Sequence, residues 1–235
     1  MILFVAAEGR EFSGLMRHLR HRRRLDWPLQ FACIGELNGR TAVMVADGPG
    51  PRLAARAVEV AARQGPADSV VSTGFCGGLN PRLKRDMILI ATAIVDSYGS
   101  VTAETTIPSY RSPQWQPALE KLLSMNRVAV NAEEKRSLAA FGAGAVEMEA
   151  AGVFQRSHEW GTPFYAIRVI TDTASDEFSI DFNRMRDSEG RFSRSRIIRE
   201  ACSDPFRLFP ELMQFDRRCR RAAMLLGDFL ADCQF

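Results

Sequence analysis

Six carboxylates and one glycine-rich segment are spaced along this sequence as an acid–base site would need them. Glu8 and Glu11 follow the apolar run MILFVAA, and Asp47 precedes Gly48-Pro49-Gly50. Glu147 and Glu149 flank Met148, and Asp172 follows the β-branched run PFYAIRVIT. Gly74-Phe75-Cys76-Gly77-Gly78 lies between them in sequence. Several carboxylates in one pocket, without histidines at metal-ligand spacing, suit proton transfer. Carboxylate pairs suit glycosidic cleavage in particular, because positive charge develops on the sugar ring. A protonated acid then assists the leaving group while an ionised partner orients water. Each residue alone has a plainer role. Glu8 and Glu11 would favour a helix N-terminus, Asp172 could cap a turn, and Glu149 could pair with Arg168. GFCGG lacks a following GK[ST] and is not GxGxxG, which argues against a nucleotide-triphosphate enzyme.

These residues need elements to position them. Residues 1–7, 29–35, 40–47, 69–73, 86–95, 143–147 and 163–171 read as strands, with Asn38-Gly39 as a two-residue hairpin turn. Residues 10–22, 52–64, 115–124, 132–141 and 148–160 read as helices, the second ended by Gly65-Pro66. Residues 74–81 read as a tight turn and 96–113 as a loop. Residues 174–195 are polar and aperiodic, which predicts a loop or flap. Asp204-Pro205 opens a helix, and residues 210–232 carry an apolar stripe that faces core or partner. Strand and helix alternate, so a mostly parallel sheet with helices on both faces is expected. Ligands of such sheets bind outside the carboxyl ends of strands, where the carboxylates fall.

The 235 residues fit one large domain over 1–235, and 46% hydrophobic with 25% charged residues is a globular composition. No apolar run reaches the ~18 residues of a membrane span. The N-terminus lacks the basic region of a signal peptide, so a cytoplasmic location is expected. Five cysteines without a CxxC pair support neither a zinc site nor a disulfide framework. A net charge of +3 does not argue for nucleic acid. RHLRHRRR (17–24) and RRCRR (217–221) read as solvated helix faces, with an anionic surface as the alternative partner.

VADGPGPRLAA (45–55), STGFCGGLNP (72–81), AVEMEAAGV (145–153) and AIRVITDTAS (166–175) resemble the nucleoside phosphorylase and nucleosidase superfamily, near its 5′-methylthioadenosine/S-adenosylhomocysteine nucleosidases. The resemblance implies an α/β fold: a three-layer α/β/α sandwich, phosphorylase/hydrolase-like, with a mixed, partly barrelled central sheet. It implies cleavage of the N-glycosidic bond of a purine nucleoside, without metal or organic cofactor, by a homo-oligomer, in the first instance a dimer. Ala7-x-x-x-Glu11 matches the glutamate that orients water, and Asp172 the acid that protonates N7 of the base. Glu149 matches the residue gripping the ribose hydroxyls, and Met148 the one beneath the sugar. Glu147, Gly74, Phe75 and Cys76 fall in the substrate-binding segments.

Related phosphorylases carry Arg-x-Gly-Ser where this chain has Ser72-Thr73-Gly74-Phe75. Losing that charge and hydroxyl, at ~1.5–3 kcal/mol per charged hydrogen bond, favours water over phosphate, although Arg52 could reach an anion. No stacking aromatic precedes VEMEA; Phe75, Phe178, Phe182 and Phe192 are candidates, with packing the plainer role. AEEKRSLAAFGAGAVEMEAAGV and SDPFRLFPEL resemble the hopanoid-associated branch, which removes adenine from a lipid-linked ribose. That implies peripheral contact with an anionic membrane through the arginine runs.

Overall fold

Ile2–Ala6 (β1) is buried along its whole length. A strand covered on both faces alternates its side chains into two cores. Leu3 and Val5 enter one cluster, and Ile2, Phe4 and Ala6 the other. The computed structural model describes residues 1–63, 65 and 67–235. The remaining strands are β2 (Arg20–Arg24), β3 (Phe31–Leu37), β4 (Arg40–Ala46), β5 (Ser69–Gly78), β6 (Ile88–Val95), β7 (Val101–Glu104), β8 (Ser109–Tyr110), β9 (Ala118–Ser124), β10 (Ala145–Glu147), β11 (Phe164–Asp172) and β12 (Cys233–Gln234). The helices are α1 (Leu15–His18), α2 (Pro51–Ala62), α3 (Ala132–Ala139), α4 (Ala150–Ser157), α5 (Arg194–Ala201) and α6 (Pro205–Asp232).

The central sheet runs β10-β9-β6-β11-β5-β1-β4-β3-β2, with β7 on β6. β10 also pairs with β5, so β5, β11, β6, β9 and β10 close into a barrel. β1 is parallel to β4 and β5, and β11 to β5, whereas β6–β11, β5–β10 and β2–β3–β4 are antiparallel. The sheet is therefore mixed and partly barrelled, as the resemblance implies, and not mostly parallel. Ala54, Val58, Ala150 and Val153 of α2 and α4 cover one face. Leu15 of α1 and Leu226, Phe229 and Leu230 of α6 cover the other, giving the third layer. The apolar stripe of α6 thus packs on this chain's own core. Gly227 makes that possible: a Cβ there would stand 2.1 Å from the backbone of Gly14.

Several sequence expectations give way. Residues 10–22 do not form one helix: a 3-10 turn (Gly9–Phe12) and the single turn of α1 are followed by β2. β2 is exposed throughout, so the first arginine run lies on a sheet edge, where charge blocks further pairing. Residues 74–78 are not a turn but the end of β5, because β11 and β10 pair with them. Residues 118–124 favour helix by composition yet form β9, because Leu122 and Leu123 close the barrel between β6 and β10. Residues 96–113 contain β7 and β8, the latter paired with β12. The predicted helix end at Gln64 and its stop at Pro66 lie outside the described residues. Asn38 and Gly39 both take positive φ, 52° and 79°, as the hairpin requires. Among the described residues no helix is long and apolar enough to cross a membrane.

Candidate active site

A cavity of about 380 Å³ opens at the carboxyl ends of β1, β5 and β11. Glu11, Phe75, Cys76, Glu147, Met148, Glu149 and Asp172 all line it. Residues read as a site from scattered segments are therefore brought together.

Glu11 is the third residue of the 3-10 turn after β1 and is buried. The Glu8 N–H donates to its Oε1 at 2.8 Å and the Phe75 N–H to its Oε2 at 3.1 Å. Gly74, which does not itself line the cavity, makes room for it. Gly74 has φ of +137°, and a Cβ there would lie 2.0 Å from Glu11 Oε2. Burial and the neighbouring Glu8 charge push the Glu11 pKa up to about 7, against the two backbone donors and Arg10.

Glu149 precedes α4 and is also buried. Its Oε1 accepts from the Gly50 N–H at 3.0 Å, and its other oxygen has no bond among the described residues. Burial, then the charges of Glu147 and Glu11, raise its proton affinity well above the usual carboxylate range. Met148 is buried beside it on the cavity wall. Glu147, expected to bind substrate, has its carboxylate engaged by the protein instead. It pairs with fully buried Arg168 and accepts from the N–H groups of Glu149 and Ala150 at 2.8 to 3.1 Å. It fixes Glu149 in place, and it takes the Arg168 partnership that Glu149 could have had. Cys76 lines the cavity while buried, its Sγ 3.7 Å from the Val169 carbonyl, and burial pushes its thiol pKa up.

Asp172 stands at the end of β11, just past a register shift between Ile170 and Asp172. Such a bulge re-aims side chains, and here both Thr171 and Asp172 reach the cavity. Asp172 Oδ1 accepts from Thr171 Oγ1 at 2.9 Å, and Oδ2 from Lys135 Nζ at 2.5 Å. Burial raises its proton affinity, and Lys135 opposes that without cancelling it. Lys135 escaped the sequence analysis. In AEEKRSLAA it reads as one more charge on a helix surface, and only its complete burial sets it apart.

Asp47 lies elsewhere: its carboxylate is fully buried and holds Arg56 and Arg191. Arg52, the remaining candidate anion ligand, donates to the Glu189 carbonyl and does not line the cavity. Ser72 Oγ accepts from Arg168 at 2.8 Å. Among the described residues, no group of three or more His, Cys, Asp or Glu could hold a metal ion.

The opposite wall is aromatic. Phe178, Phe182, Phe192 and Phe215 line it with Ile197 and Leu212. Phe182 packs on Phe178, Phe192 and Phe215 at centroid distances of 5.5, 6.1 and 5.5 Å. The three predicted phenylalanines therefore both pack and face the cavity. Leu212 and Phe215 of α6 were missed as site residues because their stripe reads as core, and Ile197 of α5 because its segment carried no sequence signal. Residues 186–191 are clamped over the GPG segment. Arg186 donates to the carbonyls of Pro49 and Asn126, and Arg191 to Asp47.

A family profile described as the Phosphorylase superfamily matches residues 5–200. The chain belongs to this superfamily. A 5′-methylthioadenosine/S-adenosylhomocysteine nucleosidase of Bacillus anthracis is 26% identical over 192 residues, 70% of this chain and 82% of that protein. Two solved structures share the fold. The Streptococcus pyogenes S-adenosylhomocysteine nucleosidase, crystallised with 5-methylthiotubericidin, has a TM-score of 0.70 at 17% identity, covering 98% of this chain and 94% of its own. The futalosine hydrolase of Helicobacter pylori has a TM-score of 0.69 at 16% identity, covering 98% and 95%.

Proposed function

We infer that this chain hydrolyses the N-glycosidic bond of a 5′-substituted, adenosine-type purine nucleoside and releases adenine. The observation that carries the reading is the convergence of Glu11, Glu149 and Asp172, from three separate segments, on one cavity. The superfamily relatives described as nucleosidases support it. Asp172 gives a proton to N7 of the base while the bond from C1′ breaks, its electron pair leaving with the base. Glu149 holds the ribose hydroxyls through its unbonded oxygen, and Met148 packs beneath the sugar. Glu11, ionised, orients a water that adds to C1′ and accepts its proton. The sum is nucleoside plus water to adenine plus free sugar.

Water, not phosphate, is the nucleophile in this reading. Ser72 is occupied by Arg168, Phe75 offers no hydroxyl, and Arg52 is turned to Glu189. Adenine release in phosphate-free buffer, strongly reduced by Asp172→Asn, is the expected outcome. Release only on adding phosphate would make the chain a phosphorylase. Binding of adenosine without release would make it a non-catalytic module.

The finer parts of the reading concern the 5′ side and the surroundings. The phenylalanine wall suits a large apolar 5′ group, a lipid-linked one of hopanoid type being the proposal. Exposed Phe206, Phe209 and Met213 on α6, with the arginine runs at 17–24 and 217–221, suit peripheral contact with an anionic membrane. Exposed Tyr98, Val101 and Ile107 around β7 suit a dimer contact, which light scattering on the purified chain would detect. Five free cysteines suit a cytoplasmic, reducing setting.

A further inference from the structure

Lys135 is a fully buried cation beside the cavity, and the reaction above gives it nothing to do. It sits on α3, and its ammonium donates to Asp172 Oδ2 at 2.5 Å, to the Thr173 carbonyl at 2.8 Å and to the Asp176 carbonyl at 3.1 Å. The Phe178 ring lies over it at 5.6 Å. Three acceptors use all three ammonium protons, so this group is no substrate ligand and acts only through what it touches. The other buried ion pair at the site is Arg168 with Glu147, whose acid is also bonded to two backbone N–H groups. The Lys135 pair differs because its acid partner, Asp172, is the group read above as the proton donor.

We propose that Lys135 is a positioning residue: it fixes Asp172 toward the cavity and strengthens it as an acid by stabilising the carboxylate left after proton transfer. The proposal rests on the reading of Asp172 as the general acid. The proton passes from Asp172 to N7, the electron pair of the broken bond goes to the base, and Lys135 keeps its own protons throughout. Solvent reprotonates Asp172 after release.

The charged neighbours do not duplicate this role. Asp176, on the segment after β11, is neutralised by Arg85 and slightly opposes ionisation of Asp172. Glu134, next to Lys135 on α3, is held by Arg127. From β10 and β11, Glu147 and Arg168 offset each other, and Cys76 of β5 and Cys219 of α6 are thiols whose pKa burial pushes up. Lys135 is the one cation in contact with Asp172 among the described residues. Removing it leaves burial opposed mainly by the Thr171 hydrogen bond, so Asp172 holds its proton more tightly and gives it up less readily.

The test is Lys135→Met and Lys135→Gln in the full chain, with Lys135→Arg to restore the charge. For adenine release, kcat is expected to fall about 10–100-fold with KM little changed. The alkaline limb of the rate profile should move to higher pH, and the arginine variant should recover part of both. A role in packing alone would lower thermal stability and leave that limb in place, which would overturn the proposal. A readout free of catalysis is the carboxyl 13C titration of Asp172, assigned with Asp172→Asn. Its midpoint should rise without the ammonium, and an unmoved midpoint overturns the proposal. Should the parent release no adenine while that midpoint still rises, the nucleosidase reading falls and the hold of Lys135 on the Asp172 proton stands. If the Lys135 variants do not fold, the 15N signal of the Lys135 ammonium in the parent decides. It should shift as Asp172 titrates, and a signal indifferent to Asp172 overturns the proposal.

Discussion

On the floor of the cavity Glu11, Glu149 and Asp172 are each buried, and each is held by a fixed donor: a backbone N–H for the first two, Thr171 and Lys135 for the third. On the opposite wall four phenylalanines pack on one another, and Arg186 and Arg191 bind the chain to Pro49 and Asp47. The floor grows from ends of sheet strands. The wall comes from an irregular segment and two helices added after the last long strand of the sheet. Fixed dipoles and tuned carboxylates serve bond breaking, where charge develops. An apolar wall of adaptable packing serves recognition of a greasy group. The proposed function divides chemistry and specificity between these two parts of the chain.

The largest expected effect breaks the floor alone. Asp172→Asn and Glu11→Gln should each lower kcat by about 10²–10⁴-fold, measured as adenine release, with the wall intact. A loss of similar size for every 5′ group would place the chemistry on the floor. Next, Phe182→Ala opens the centre of the wall. It should lower kcat/KM for a long 5′-alkyl adenosine about 10–100-fold, the ~1.5–3 kcal/mol of one buried large side chain. Adenosine itself should change about threefold or less, since it lacks the 5′ group proposed to meet that wall.

The two regions should also respond differently to pH. Because the folded-state pKa of Glu11 is raised from 4.5 to about 7, the stability it contributes is full below the lower value and is lost as pH rises to about 7. That loss is about 3 kcal/mol at 1.36 kcal/mol per unit, seen as a falling unfolding free energy that Glu11→Gln flattens. Rate should rise through the same range as Glu11 ionises, then fall once Asp172 loses its proton. Phe182→Ala should leave both pH dependences in place. The smallest expected effect concerns the surroundings. Co-sedimentation with anionic vesicles should weaken by ~1 kcal/mol for each arginine removed from 217–221, and no sedimentation of the parent would end the membrane proposal.

The floor was largely legible in the sequence and the wall was not, for physical reasons. Carboxylates beside apolar runs are conspicuous, and VEMEA and ITD sit where parallel strands end. Gly74 was visible as a glycine, although its purpose, room for Glu11, appears only in space. β9 was misread because ALEKLL favours helix in isolation, and barrel closure overrides local preference. β2 was misread because Phe12, Leu15, Met16 and Leu19 fall at helical spacing and carry the helix reading on to residue 22, whereas a sheet edge tolerates the arginine run. Lys135 was invisible because burial of a lysine leaves no mark in its neighbours' types. Leu212 and Phe215 belong to a stripe that serves both core and cavity, so periodicity could not divide it.

The most direct test is kcat/KM for adenine release in phosphate-free buffer across adenosines of increasing 5′-alkyl length. A hydrolytic floor joined to an apolar wall predicts turnover without phosphate and a rise of up to about fourfold per methylene, from ~0.8 kcal/mol each, until the wall is filled. A flat or falling series, or turnover that appears only with phosphate, would contradict it.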